Sequence, residues 1–264
     1  MFYMNKLYPQ AHKSFDKAIN IAIQKNDEFA ISVAQNNNGI VFREEGNYDA
    51  SKLFFRKSLA IRSKITPLYE AQNYLYLAKV FTYQNNADSI FYYRNLAIQA
   101  LQKHSSSKVN PAIITETAAK ALADGFQIYE LELMALASQI KNEPVQALNY
   151  FQNALERAGK AEDQESRMVY LYNISDLNNK LNRQTEAVKY ATQAYQMAVD
   201  QQNLDYSVRT SKLLNQLFTK QNNLNQANFY LNKIIGYTDS LNQKESSEKI
   251  QSARILLITN EVEE

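Results

Sequence analysis

Apolar positions along this chain fall at helical spacing, and they build a signature that recurs: a small residue, a bulky one four positions on, and a small or apolar one three further. It reads Ala11/Phe15/Ala18, Ser51/Phe55/Ser58, Ser89/Tyr93/Leu96, Ala147/Phe151/Ala154, Ala187/Ala191/Ala194 and Ala227/Leu231/Ile234, at intervals of 40, 38, 58, 40 and 40 residues. Self-similarity at a near-constant period marks stacked units, none of which can bury its apolar face alone. The pattern predicts an all-α chain, a solenoid of antiparallel helix pairs with about six units over residues 1–239. Residues 8–23 already match the second helix of a pair, which leaves residues 1–7 for the helix before it. A mid-unit start of this kind is expected of a fragment of a longer protein.

Turn residues punctuate the pattern. In the second unit one helix is predicted from Glu28 to Glu45 and another from Tyr48 to Lys64, with Gly46 as a left-handed stop between them. Thr66 followed by Pro67 reads as an N-cap and first helical residue. Later turns are rich in Asn, at Gln84 to Asn86, Asn142, Asn182 and Asn222 to Asn225, and Asn tolerates the same positive φ. Ser51, Ala147, Ala187 and Ala227 are expected to face the preceding helix, where Gly39, Ala78, Ala135 and Ser175 supply matching small positions. Helix axes as close as about 8 Å require such residues at the crossing.

Two stretches depart from the repeat. The long interval holds an irregular insertion at about 105–125: a loop-like run over 105–110, then Pro111 as a helix start. Ile114, Ala118, Leu122, Tyr129, Leu133 and Leu136 keep a helical period across Gly125, which favours one long helix over two broken at Asp124 and Gly125. Residues 240–264 read as a polar helix with late apolar residues at Ile250, Ala253, Leu256, Leu257 and Ile258, either a cap on the last pair or a connector.

Composition narrows the function. Only 5 Gly and 4 Pro occur, which suits long helices and leaves no phosphate-cradling loop. A balance of 29 Lys and Arg against 27 Asp and Glu gives +2, too little for a surface that tracks phosphates, so no direct nucleic-acid binding is expected. With no cysteine, thiol catalysis and thiolate metal sites are excluded. No apolar run of membrane-spanning length is present, so any span lies outside these residues. His12 and His104 stand alone without metal-ligand spacing, and the acidic pairs Glu44/Glu45 and Asp163/Glu165 lie near helix ends, where the helix dipole accounts for them. The expectation is a protein that is not an enzyme and needs no cofactor or metal.

The segment Asn36 to Ile61 resembles a tetratricopeptide repeat, matching that family's series at Gly39, Phe42, Gly46, Tyr48, Ser51, Phe55 and Ser58. The first unit (Tyr8, Ala11, Phe15, Ala18) and the fourth (Leu131, Ala135, Ala147, Phe151, Ala154) fit the same pattern, though the interval is longer than the family's and Trp is absent. The resemblance implies a right-handed superhelix whose concave face is lined by the first helix of each pair. On that face it places Asn36, Arg43, Tyr76, Lys79, Tyr83, Tyr172, Asn173, Asp176, Lys180, Lys212 and Gln216. Aromatic, amide and basic groups together suit a protein or peptide segment, because amides bond a backbone while Lys and Arg pair with carboxylates. The family's carboxylate clamp does not map, since Ile40 stands where its Asn would. The phrases at Ala87 to Tyr93 and Tyr237 to Leu241, with the polar helix that follows, resemble the sensor region of bacterial membrane-linked transcriptional regulators or histidine kinases. That implies an interaction region of a signalling regulator, with the periplasm favoured over the cytoplasm; the alternative is a free-standing adaptor or chaperone-like scaffold. Self-association is a further expectation, because uncovered solenoid ends bury surface on each other.

Overall fold

A computed structural model describes the chain over residues 8–103 and 116–263. The truncated helix over 1–7, His104, the loop over 105–110, Pro111 and Ile114 lie outside the described residues, as do the side chains of Ala118, Ala253, Leu256, Leu257 and Ile258. All regular structure among the described residues is helical: α1 (Tyr8–Gln24), α2 (Glu28–Glu45), α3 (Tyr48–Arg62), α4 (Pro67–Tyr83), α5 (Ala87–Lys103), α6 (Glu116–Ile140), α7 (Pro144–Lys160), α8 (Gln164–Lys180), α9 (Gln184–Asp200), α10 (Leu204–Lys220) and α11 (Leu224–Glu263). The chain divides into two compact units, Met1–Glu143 and Pro144–Glu264. In the first, successive helices from α1 to α6 pack on one another and α4 also meets α6; in the second the same holds from α7 to α11, with α8 meeting α10.

The 40-residue period has a finer origin. Left-handed residues close the turns at Asn142, Glu162, Asn182, Gln202 and Asn222, one every 20 residues, as Asn26, Gly46 and Asn85 do earlier. After each, the next amide reaches back to the carbonyl five residues before it, as in Asp163 to Ala158 at 2.9 Å and Asn203 to Ala198 at 2.8 Å. That bond satisfies a carbonyl the helix end would leave bare. The residue making it then caps the following helix: the side chains of Asp27, Asn47, Asp163, Asn203 and Asn223 each accept the amide hydrogen three residues on. A 17-residue helix plus this three-residue turn is the 20-residue half-repeat of α7 to α10.

The crossing residues are buried as the pattern requires: Ser51, Ala78, Ala135, Ala147, Ser175 and Ala187 are all sealed from solvent. Three crossings share one hydrogen bond. Ser51 Oγ donates to the Gly39 carbonyl at 2.7 Å, Ser175 Oγ to Ala187 at 2.7 Å and Asn215 Nδ2 to Ala227 at 2.8 Å, each across 12 residues. Gly39 is needed here because a Cβ on it would stand 2.9 Å from the Phe55 ring.

Several expectations are corrected. In α5 the buried positions are Ala87, Ile90, Ala97 and Ala100, whereas Ser89, Tyr93 and Leu96 are only half-buried. The reason is the cap: Asn86 accepts the Ser89 amide at 2.9 Å, and in the second helices the crossing falls four residues after the cap, which here is Ile90. In α1, Ala11 and Ala22 are buried while Ala18 is exposed. Helix α3 ends at Arg62, before Lys64. Helix α6, by contrast, runs unbroken through Asp124 and Gly125, as its apolar period favours. Beyond Asp239 no separate helix begins, because α11 continues as one 40-residue helix to Glu263.

Candidate functional site

The two units present first-helix faces of different character. In the first unit α2, α4 and α6 bring together Arg43, Tyr76, Lys79, Tyr83, Tyr129 and Glu132. Lys79 is ion-paired with Glu132, both side chains more than four-fifths buried, and its ammonium lies 5.8 Å from the Tyr129 ring centre. Tyr76 packs edge-on to Tyr129 at 5.9 Å and stacks on Phe55 at 5.7 Å. Arg43 pairs with Glu44 at 2.8 Å and lies 5.9 Å from the ring of Tyr83, which is itself exposed. Its Nη1 is buried with no hydrogen-bond partner. Burial opposes the Arg43 charge, but Tyr129, Tyr83 and Glu44 outweigh it and hold the guanidinium firmly protonated. Burial pushes the Tyr129 hydroxyl far above the ordinary tyrosine value, with Arg43 pulling the other way. This face is largely occupied by its own charges.

Asn36 does not line it. It is buried, and Asn73 donates to its Oδ1 at 3.4 Å and to Ser58 Oγ at 2.9 Å, while Ser58 donates to the Ser32 carbonyl at 2.9 Å. These polar groups form an interior network joining α2, α3 and α4, within which the Asn73 Oδ1 is buried without a hydrogen-bond partner.

The second unit's face, on α8 and α10, is open. Tyr172 is half-buried and meets Tyr206 edge-on at 6.0 Å, and the Arg209 guanidinium sits 5.2 Å from the Tyr206 ring. Burial raises the Tyr172 pKa and Asp176 adds to it, while Arg209 and Lys180 pull it down, so all of these charges lie around one hydroxyl. Lys180 pairs with Asp176 at 2.7 Å and Arg209 with Asp205 at 2.9 Å, each along one helix and each with its cation more than half exposed. Such exposed pairs contribute about 0.3–0.5 kcal/mol and exchange readily for another carboxylate. Lys212 and Gln216 are exposed on α10, and Lys220 donates to Asn179 at 2.8 Å. Asn173 is half-buried, its amide spent on the Val169 carbonyl at 2.9 Å.

Of the residues that the sequence nominated, Tyr172, Asp176 and Lys180 share one site, and Arg43, Tyr76, Lys79 and Tyr83 share another. Tyr129, Glu132, Tyr206 and Arg209 were missed. The Asp205/Arg209 spacing was a readable signal, whereas Glu132 meets Lys79 across 53 residues and left none. His12 lies in the α1/α2 packing, stacked on Phe42 at 4.0 Å, with one ring nitrogen bonded to Asn38 and the other 3.3 Å from Glu45. Among the described residues no cluster of His, Asp or Glu has the arrangement of a metal site. No described helix is long and apolar enough to cross a membrane.

No family model matches the sequence, and no curated protein matches it. Among solved structures the chain is similar to BtubC (BKLC) from P. vanneervenii, with a TM-score of 0.65 at 13% identity, covering 90% of this chain and 91% of that one. It is also similar to aspartyl phosphate phosphatase F from Bacillus subtilis, with a TM-score of 0.60 at 16% identity over 84% of this chain. The aligned region takes in 55% of the phosphatase, so the chain spans about half its length. At these identities the likeness shows the fold alone, a helical-repeat architecture.

Proposed function

We propose that this chain is a non-enzymatic protein-binding domain of tetratricopeptide type, the sensor or interaction region of a bacterial signalling or transcriptional regulator, and that the α8/α10 face receives an extended acidic segment of its partner. The observation that carries the reading is the open cluster around Tyr172. Its aromatic pair, Tyr172 and Tyr206, is flanked by Lys180 and Arg209, whose charges are met by solvent-exposed pairs along their own helices, and Lys212 is exposed on α10. Rings supply contact area at small entropic cost, and exposed cations select carboxylates. The first unit's face is the weaker candidate because Lys79 and Glu132 already neutralise each other there.

The test begins with a partner captured by the chain and identified. Titration of its binding segment against Lys180→Ala and Arg209→Ala, whose side chains are more than half exposed, is expected to show a loss of about 1–3 kcal/mol for each, with melting nearly unchanged. Full affinity in both variants moves the site to Arg43, Lys79 and Tyr83. Lost affinity together with lost stability makes these residues part of the packing instead.

A further inference from the structure

Helix α11 exposes a face that its counterparts bury. Eight residues after the cap, Phe55 in α3, Phe151 in α7 and Ala191 in α9 are 0% exposed, because the following helix covers them; Leu231, at the same place in α11, is 45% exposed. Leu224 and Ile235, on the same side, are 65% and 55% exposed. The 20-residue ladder of left-handed turns would put its next member at Asn242, yet α11 passes through Asn242 as helix. The residues beyond therefore point away along the same axis and cannot cover the face from which they extend.

Those residues nonetheless carry the complement. Shifting α10 by 40 positions gives residues 244–260, and Ala191 and Leu213, which share one core cluster in the α9/α10 pair, become Leu231 and Ala253. Large and small have changed places, so the pair keeps its volume. Volume-conserving exchanges of this kind are what well-packed interfaces tolerate.

We propose that a second copy of this chain covers the exposed face of α11, the two helices lying antiparallel about a two-fold axis at Asn242. In the α9/α10 hairpin the chain reverses at Gln202, so residues pair symmetrically about that point. Forty residues on, the same pairing about Asn242 sets Leu231 of one copy against Ala253 of the other, and Ile234 against Ile250. An isologous contact follows, each copy giving and receiving the same helix. This interface does not rest on the function proposed above.

The chain has no cysteine, which makes the test direct. The full chain is expected to sediment at twice its 30.4 kDa mass, and Ile235→Asp to weaken that dimer roughly tenfold or more with far-ultraviolet circular dichroism unchanged. Under oxidation, Asn242→Cys is expected to form a covalent dimer because the residue meets its own copy on the axis, whereas Ser240→Cys, on the opposite side of the helix, is not. The double variant Leu231→Cys, Ala253→Cys decides between copies: disulfides joining two chains support the proposal. An internally closed monomer would instead mean that the arm folds back on its own chain, and would overturn it. A monomer at all concentrations up to about 0.1 mM, or a dimer indifferent to Ile235→Asp, overturns it as well.

Discussion

At the scale of single residues, small side chains decide how closely the helices approach. Gly39 shows the balance of terms. Alanine in a helix interior gains about 1 kcal/mol over glycine, yet forcing a methyl into a packed core costs typically 1–3 kcal/mol. The Phe55 ring, 2.9 Å from the added carbon, is fully buried and has nowhere to swing, so the second term wins. Gly39→Ala is expected to lower the urea midpoint by an equivalent of about 1 kcal/mol; an unchanged or higher midpoint would mean that the crossing relaxes freely. The sequence disclosed this crossing because Gly39, Ser51 and Phe55 stand at repeat positions. Nothing in it disclosed that Asn36, Asn73 and Ser58 close a polar network inside the first unit, since their spacing matches an exposed face as well as a buried one. Spacing alone therefore places Asn36 in the groove, whereas the structure buries it.

At the scale of helices, caps and stops carry the register. Asn at the left-handed turn positions made most element boundaries legible, and the structure adds Glu162 and Gln202 in the same conformation, where side-chain chemistry gave no hint. The register in α5 is instructive: the small-then-bulky signature favours Ser89, but the cap at Asn86 fixes Ile90. Position after the cap is thus a sharper guide than residue size. At Gln202 the backbone holds φ 54°, a region that costs most residues about 1–2 kcal/mol and glycine almost nothing. Part of that gain is offset by the greater freedom of glycine in the unfolded chain. Gln202→Gly is expected to raise stability by about 0.5 kcal/mol in chemical denaturation, and a loss of stability would show that the Gln202 side chain has a role beyond the turn. At the end of the last pair the structure joins the polar helix expected from residue 240 to the helix before it. Asn242 sits at the turn position, but no cap of the kind seen at Asn203 or Asn223 begins a new helix there, and α11 continues.

At the scale of the whole molecule, the helical-repeat fold was readable because a 20-residue half-repeat leaves a trace at every turn and every crossing. The candidate sites were legible only in part. Each first-helix face could be projected from the period, but its state depends on contacts between helices far apart in sequence. Lys79 finds Glu132 and is neutralised, while Lys180 and Arg209 find only neighbours one helical turn away and remain open to solvent. That difference, rather than residue type, singles out the α8/α10 face. Amide hydrogen exchange of the full chain, free and bound to its captured partner, tests the claim most directly. Slower exchange on binding is expected in α8 and α10, with α9 unchanged on its outer side. Protection confined to the second helices, with α8 and α10 exchanging as in the free chain, would contradict it.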